Sequence, residues 1–257
     1  MVYDFKVNRI LFYVGLIGYL VMVPLFLFVL NLEVFQIVLL GFLFVFGLRI
    51  IMRRNTSRAY QLMHQKLYVF GQAKEHLETV TEIYQRPKSN KAIYQAVRIQ
   101  NYAMANIFVG DFDEAKKAQE ELNEGYIETI SNQPSLRFSL SLIDVLIQLF
   151  TNNRTAFDES MEKLKEALNA FPEKHRENIE NNPYSVYYMI QLTEKFITQK
   201  SLKIEDVEEE LEDKGTFLKT CVLYTLYTHN YLSSSETTKI IRESDNSLFF
   251  KDESRGY

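Results

Sequence analysis

The sequence predicts an all-α protein, with an N-terminal transmembrane helical hairpin followed by a domain of antiparallel helix pairs. Three observations carry this reading. Two apolar runs, 10–30 and 34–48, are separated only by Asn31-Leu32-Glu33, and Glu33 is the one charged side chain within 10–48. Basic residues flank both runs: Lys6 and Arg9 before the first, and Arg49, Arg53, Arg54 and Arg58 after the second. Beyond residue 57, apolar residues recur at helical spacing between short turn signals, and no stretch reads as a strand.

The first run has the length that a helix of ~20 residues needs to cross the hydrocarbon core. The second reaches that length through Ile50, Ile51 and Met52 if Arg49 snorkels to the headgroups. This gives helices over about 10–30 and 34–52 within an anchor spanning 1–57. So short a connection makes the helices antiparallel neighbours. Basic flanks are retained on the cytoplasmic side, which puts both ends inside and the turn outside. A cleaved signal peptide would have a shorter apolar region and a small-residue cleavage site. One unbroken helix over 10–52 would overshoot the bilayer, and a hairpin entering a single leaflet is the third alternative. Pro24 is expected to kink the first helix, and Gly15, Gly18, Gly41 and Gly47 to permit close helix approach. With no charge in mid-span to mark an ion path, the hairpin is predicted to anchor rather than conduct.

The charge is divided in the same way. Of the 29 basic and 33 acidic residues, six and two lie within the first 58, leaving the remainder at −8. A domain so acidic is a poor ligand for phosphate backbones, which argues against nucleic acid. Cys221 is the single cysteine and lies in an apolar run, so it reads as a small buried hydrophobe in a reducing compartment.

Within the domain of 58–243, a helix or a pair of helices is expected over 58–85, and helices over 91–109, 111–130, 135–150, 155–171, 183–199, 204–213 and 216–231. A further short one is expected over 235–243. The segment AMANIFVGDFDEAKKAQEEL, 103–122, centres on Gly110-Asp111-Phe112-Asp113-Glu114-Ala115. It has a glycine turn, an aromatic, and an alanine three residues later. AFDESMEKLKEALNAFP, 156–172, repeats the second half: Phe157 matches Phe112, Ser160 stands at the place of Ala115, and Ala167, Leu168 and Pro172 follow. A weaker echo lies at Phe70, Ala73 and Leu77. These segments resemble tetratricopeptide (TPR) repeats over 58–172. The resemblance implies a TPR-like α-solenoid with a concave surface for peptides or proteins. Phe112 and Phe157 are 45 residues apart, against a family period of ~34, which implies longer loops. The family's carboxylate-gripping positions fall on Val97, Gln100, Asn101, Met104, Leu142, Val145, Leu146 and Leu149. None is basic, so any groove would be read through apolar contacts.

No catalytic or metal-binding motif is present in the sequence, and no cofactor or small-molecule substrate is expected. His64 and His76, twelve residues apart, are not expected to share a metal; His175 and His229 are isolated. The stripe Arg137, Ser141, Asp144 and Gln148 follows helical spacing and is a candidate partner contact, or simply a solvated face. The acidic run 205–213 reads as a solvated helix face, with pairing to a basic partner as the alternative, and Tyr224, Tyr227 and Tyr231 read as core-facing. The tail 244–257 is expected to be disordered, with Leu248-Phe249-Phe250 as an apolar knot able to dock on a partner or on the domain.

The function these features predict is that of a noncatalytic, membrane-tethered scaffold or adaptor with protein partners. Composition rich in Tyr, Asn, Lys and Ile points to the plasma (inner) membrane of a bacterium, with the main domain in the cytoplasm. Two alternatives are a subunit of an integral membrane complex whose hairpin makes the key contacts, and a membrane enzyme of unrecognised type.

Overall fold

In a computed structural model of the chain, residues 5–29, 33–87, 91–182, 185–199, 203–231 and 247–249 are described. All regular structure among them is helical, and no strand occurs. The chain divides into two compact units, Met1–Met63 and His64–Tyr257.

The first unit contains α1 (Phe5–Phe28) and most of α2 (Val34–Tyr68). Pro24 lies within α1 without ending it. α2 is long and apolar enough to cross a membrane over Val34–Asn55, and it is the one helix among the described residues that is. The apolar part of α1, Phe12–Phe28, is shorter. Large apolar side chains face outward along both helices, Phe28 at 81% and Phe42 at 76% exposure, and Ile37 alone is buried among the described side chains of 10–55. The two helices touch through small residues and one tyrosine. A Cβ on Gly15 would come within 2.9 Å of Leu48, and one on Gly41 within 2.8 Å of the Tyr19 hydroxyl. Tyr19 stacks on Phe44 at 5.5 Å, and its hydroxyl donates to the backbone carbonyl of Ile37. A phenol among apolar groups needs such a partner. Gly18 and Gly47 are different: a Cβ on either would meet nothing within 4 Å.

α2 differs from the expected second helix in one respect. It does not stop near residue 52 but runs on to Tyr68, through the boundary expected at 57/58. The segment from Arg53 to Lys66 has no helix breaker, so loss of apolar character does not interrupt the helical backbone.

The second unit is built from α3 (Ala73–Tyr84), α4 (Ala92–Phe108), α5 (Phe112–Gly125), α6 (Ile127–Ser131), α7 (Pro134–Phe150), α8 (Arg154–Asn169), α9 (Glu173–Glu180), α10 (Val186–Ile197), α11 (Ile204–Leu211) and α12 (Thr216–Thr228). α4 packs on α5, α7 on α8, α3 on α4, and α10 on α12. The pairs α4–α5 and α7–α8 are built alike. Both first helices have 17 residues, and both turns have three. Gly110 (φ 80°) and Asn152 (φ 57°) take the left-handed conformation that ends a helix. The amides after them reach back five residues, Asp111 to the Asn106 carbonyl and Asn153 to that of Gln148. Asp111 and Asn153 then cap the next helix, accepting from the amides of Glu114 and Ala156. By these turns the two pairs recur at 42 residues, so Phe157 corresponds to Ala115. The sequence register, which matched Phe157 to Phe112 at 45, is corrected accordingly.

Two more differences have local causes. α5 ends at Gly125 and a separate turn, α6, follows, where one helix over 111–130 was expected. The polar stretch after Pro172 forms α9, whose only side chain packed against the core is that of Ile179. A helix with one apolar contact leaves no periodic signal. The helix expected over 235–243 lies outside the described residues.

The core gathers where α4 and α7 end. Phe108 meets Phe217 edge-on at 5.0 Å, and Tyr68 and Phe150 at 6.5 and 6.4 Å. α12 passes through this cluster with Phe217, Leu218, Cys221 and Tyr224 all buried. The expected core position of Tyr224 is found, whereas Tyr227 and Tyr231 are only half-buried.

Candidate functional site

The polar stripe on α7 occupies two environments. Arg137 is exposed, and Ser141 and Gln148 are half-buried. Asp144 is engaged within the domain: its Oδ2 accepts from Ser160 Oγ at 2.6 Å and its Oδ1 from Gln119 Nε2 at 3.3 Å. Ser160 belongs to α8 and Gln119 to α5, so one carboxylate ties together the second helices of both pairs. A carboxylate accepting from a buried hydroxyl holds a junction more than it advertises a docking point. The basic residues expected at the membrane flank divide as well. Arg49, Arg53, Arg54 and Arg58 lie exposed along α2, and the side chains of Lys6 and Arg9 lie outside the described set.

The positions that the TPR resemblance picks out on the first helices are mostly interior. Leu142, Val145, Leu146 and Leu149 are buried in the core. Gln100 is buried too, donating from Nε2 to the Leu136 carbonyl at 2.7 Å, which joins α4 to the start of α7. Val97 alone among them is exposed, close in sequence to exposed Tyr94. On the neighbouring α3, Tyr84 lies flat on Tyr102 at 4.3 Å and donates to Glu121 at 2.8 Å. Burial and this carboxylate hold its phenol up to about 12.

His64 and His76 stand on two packed helices, α2 and α3. Gly71, at φ 66°, turns the chain between α2 and α3, and the two rings stand 6.3 Å apart. They share no further ligand: among the described residues no group of three or more His, Cys, Asp or Glu converges on a metal position. Burial pushes the Cys221 thiol well up, which keeps it unreactive.

His229 closes α12 onto α7, with Nε2 2.5 Å from the Leu149 carbonyl and so carrying the proton that the carbonyl accepts. Beside it, Asn152 donates to the Thr228 carbonyl. Burial lowers the pKa of His229, opposed by the Leu149 carbonyl and aided by Arg154, and burial also lowers that of His64. Lowered values mean that the unfolded chain binds more protons, so stability is full above the ordinary value of 6.5 and falls as pH drops through it. The denaturation midpoint is therefore expected to fall between pH 7.5 and 5.5. A His64→Asn/His229→Asn double variant is expected to flatten that slope, and an unchanged slope would refute the assignment.

No family model, curated protein or solved structure matches this chain. The functional reading therefore rests on its own residues.

Proposed function

We propose that this protein is a membrane-tethered, noncatalytic scaffold or adaptor. In this reading α1 and α2 form a transmembrane hairpin with both ends in the cytoplasm, and the second unit is a TPR-like array that binds protein partners at a bacterial inner membrane. The outward apolar surface of α2 over Val34–Asn55 carries the proposal, because a helix so exposed is stable only in lipid or against apolar partners. Contacts from Gly15 to Leu48 and from Tyr19 to Phe44 and Ile37 support the hairpin: as numbers rise on α1, they fall on α2. The shared turn of α4–α5 and α7–α8 supports the repeat reading. Tethering raises the effective concentration of the array toward other membrane-bound proteins.

A photo-crosslinking residue placed singly at Arg137, Ser141 and Gln148 of the full-length chain in native membranes tests the partner surface. The expected result is a discrete adduct with the same protein from at least two positions. No adduct above background from any of them, together with a catalytic activity in the purified chain, would overturn the proposal.

Gly18 and Gly47 favour a second reading. Both are open on the apolar surface, where a further helix could approach closely, as in a subunit of an integral membrane complex. Exchanging the hairpin for an unrelated anchor separates the two, since a tether survives the exchange and an intramembrane contact does not.

A further inference from the structure

Residues 247–249 bond to residues near the start of the second unit in sequence. The Ser247 amide donates to the Gly71 carbonyl at 3.0 Å, and Ser247 Oγ accepts from the Lys74 amide at 2.8 Å. Lys74 lies in the first turn of α3, where Gln72 supplies no side-chain cap. A serine 173 residues away in sequence does so instead. Two residues on, the Phe249 amide donates at 2.6 Å to the carbonyl of Phe108, the last residue of α4. The final carbonyls of a helix have no partner within it, nor do the first amides. Three residues thus satisfy an amide of one helix and a carbonyl of another.

The side chains follow the same line. Phe249 lies flat on Tyr224 at 3.9 Å with an interplanar angle of 3°, and meets Phe150 edge-on at 5.1 Å. Leu248 and Phe249 are both buried. This corrects the disordered tail for residues 247–249 and resolves the apolar knot in favour of the domain itself; Phe250 lies outside the described residues. Phe249 has φ 57°, a left-handed backbone that a phenylalanine adopts only when its surroundings impose it. The docked state therefore holds strain that undocking would release.

We propose that residues 247–249 are a latch. Closed, they cap α3, bond the end of α4 and cover the rings of Phe150 and Tyr224; open, they uncover those rings while the helices stay folded. Residues 247–249 belong to no helix, dock through contacts distant in sequence, and carry strain at Phe249, which are the properties of a part that opens before the whole.

Native-state hydrogen exchange on the intact chain in nanodiscs tests this. The amides of Lys74 and Phe249 are expected to exchange together, at least about tenfold faster than those of Ala103 and Val145 in the middle of α4 and α7. Phe249→Ala in the full-length chain should speed Lys74 exchange while leaving Ala103 and Val145 within about threefold of their original rates. Lys74 and Phe249 amides as slow as Ala103 and Val145 in the unmodified chain would overturn the latch. So would a variant in which all four accelerate together, since the segment would then be a fixed part of the core.

Discussion

Phe108→Ala is expected to destabilise the helical domain by about 3–5 kcal/mol, a large share of the stability that a domain of this size has. Phe108 is fully buried and touches aromatic rings from three other helices: Tyr68 of α2, Phe150 of α7 and Phe217 of α12. Truncating it removes the transfer free energy of the ring and leaves a cavity bordered by rigid side chains, which collapse poorly into empty space. Its carbonyl is also the acceptor for Phe249, so a shift of the α4 end disturbs that bond as well. The fitting control is Tyr94→Ala, at the exposed start of the same helix, which is expected to change stability by no more than about 0.5 kcal/mol. Chemical denaturation of the detergent-solubilised full chain, followed by helical circular dichroism, gives both values. Similar midpoints for the two variants would mean that the domain is not organised around the aromatic cluster.

What the sequence reveals about this fold depends on how local the cause is. The helices of 91–109, 135–150 and 204–213 are readable because their apolar spacing is set by burial of one face, and each agrees with the structure to within two or three residues. Gly110-Asp111 and Asn152-Asn153 are readable as turns because left-handed backbone and side-chain capping require such residues. The register between the two pairs is not readable from aromatic letters. It is set by the turn, where glycine and asparagine do the same work, and matching Phe112 to Phe157 therefore misplaces it by three residues. α9 is missed because it buries almost nothing.

The rest depends on long-range encounters that no window of sequence contains. Asp144 looks like part of a solvated stripe until Gln119 and Ser160 arrive from two other helices. His64 and His76 are twelve residues apart in sequence, and only the turn at Gly71 brings their rings to 6.3 Å. The docking of residues 247–249 depends on an amide at Lys74 and a carbonyl at Phe108, neither of which has a side-chain signature. Candidate site residues are the least readable of all, since whether a polar side chain faces solvent or a neighbouring helix is decided by packing.

Leu43→Arg is expected to remove most of the chain from the membrane. Leu43 lies near the middle of Val34–Asn55 and is 60% exposed, so the substitution leaves the α1–α2 contact intact. Phe44 would be a poorer choice, because it stacks on Tyr19 and its loss would confound insertion with packing. Replacing a leucine by an arginine at the centre of a spanning helix raises the insertion free energy by about 3–4 kcal/mol, a shift of more than about a hundredfold in the insertion equilibrium constant. In a membrane, Arg49, Arg53 and Arg54 would escape this penalty by lying toward one end of the span, where long side chains reach the headgroups. Leu43→Phe, which keeps the site apolar, should behave as the unmodified chain. Carbonate extraction of membranes from expressing cells reads the result. If Leu43→Arg stays with the membrane as fully as Leu43→Phe, residue 43 does not face hydrocarbon. The exposed surface of α2 would then have to be covered by protein, and the intramembrane-subunit reading of Gly18 and Gly47 would gain over the simple tether.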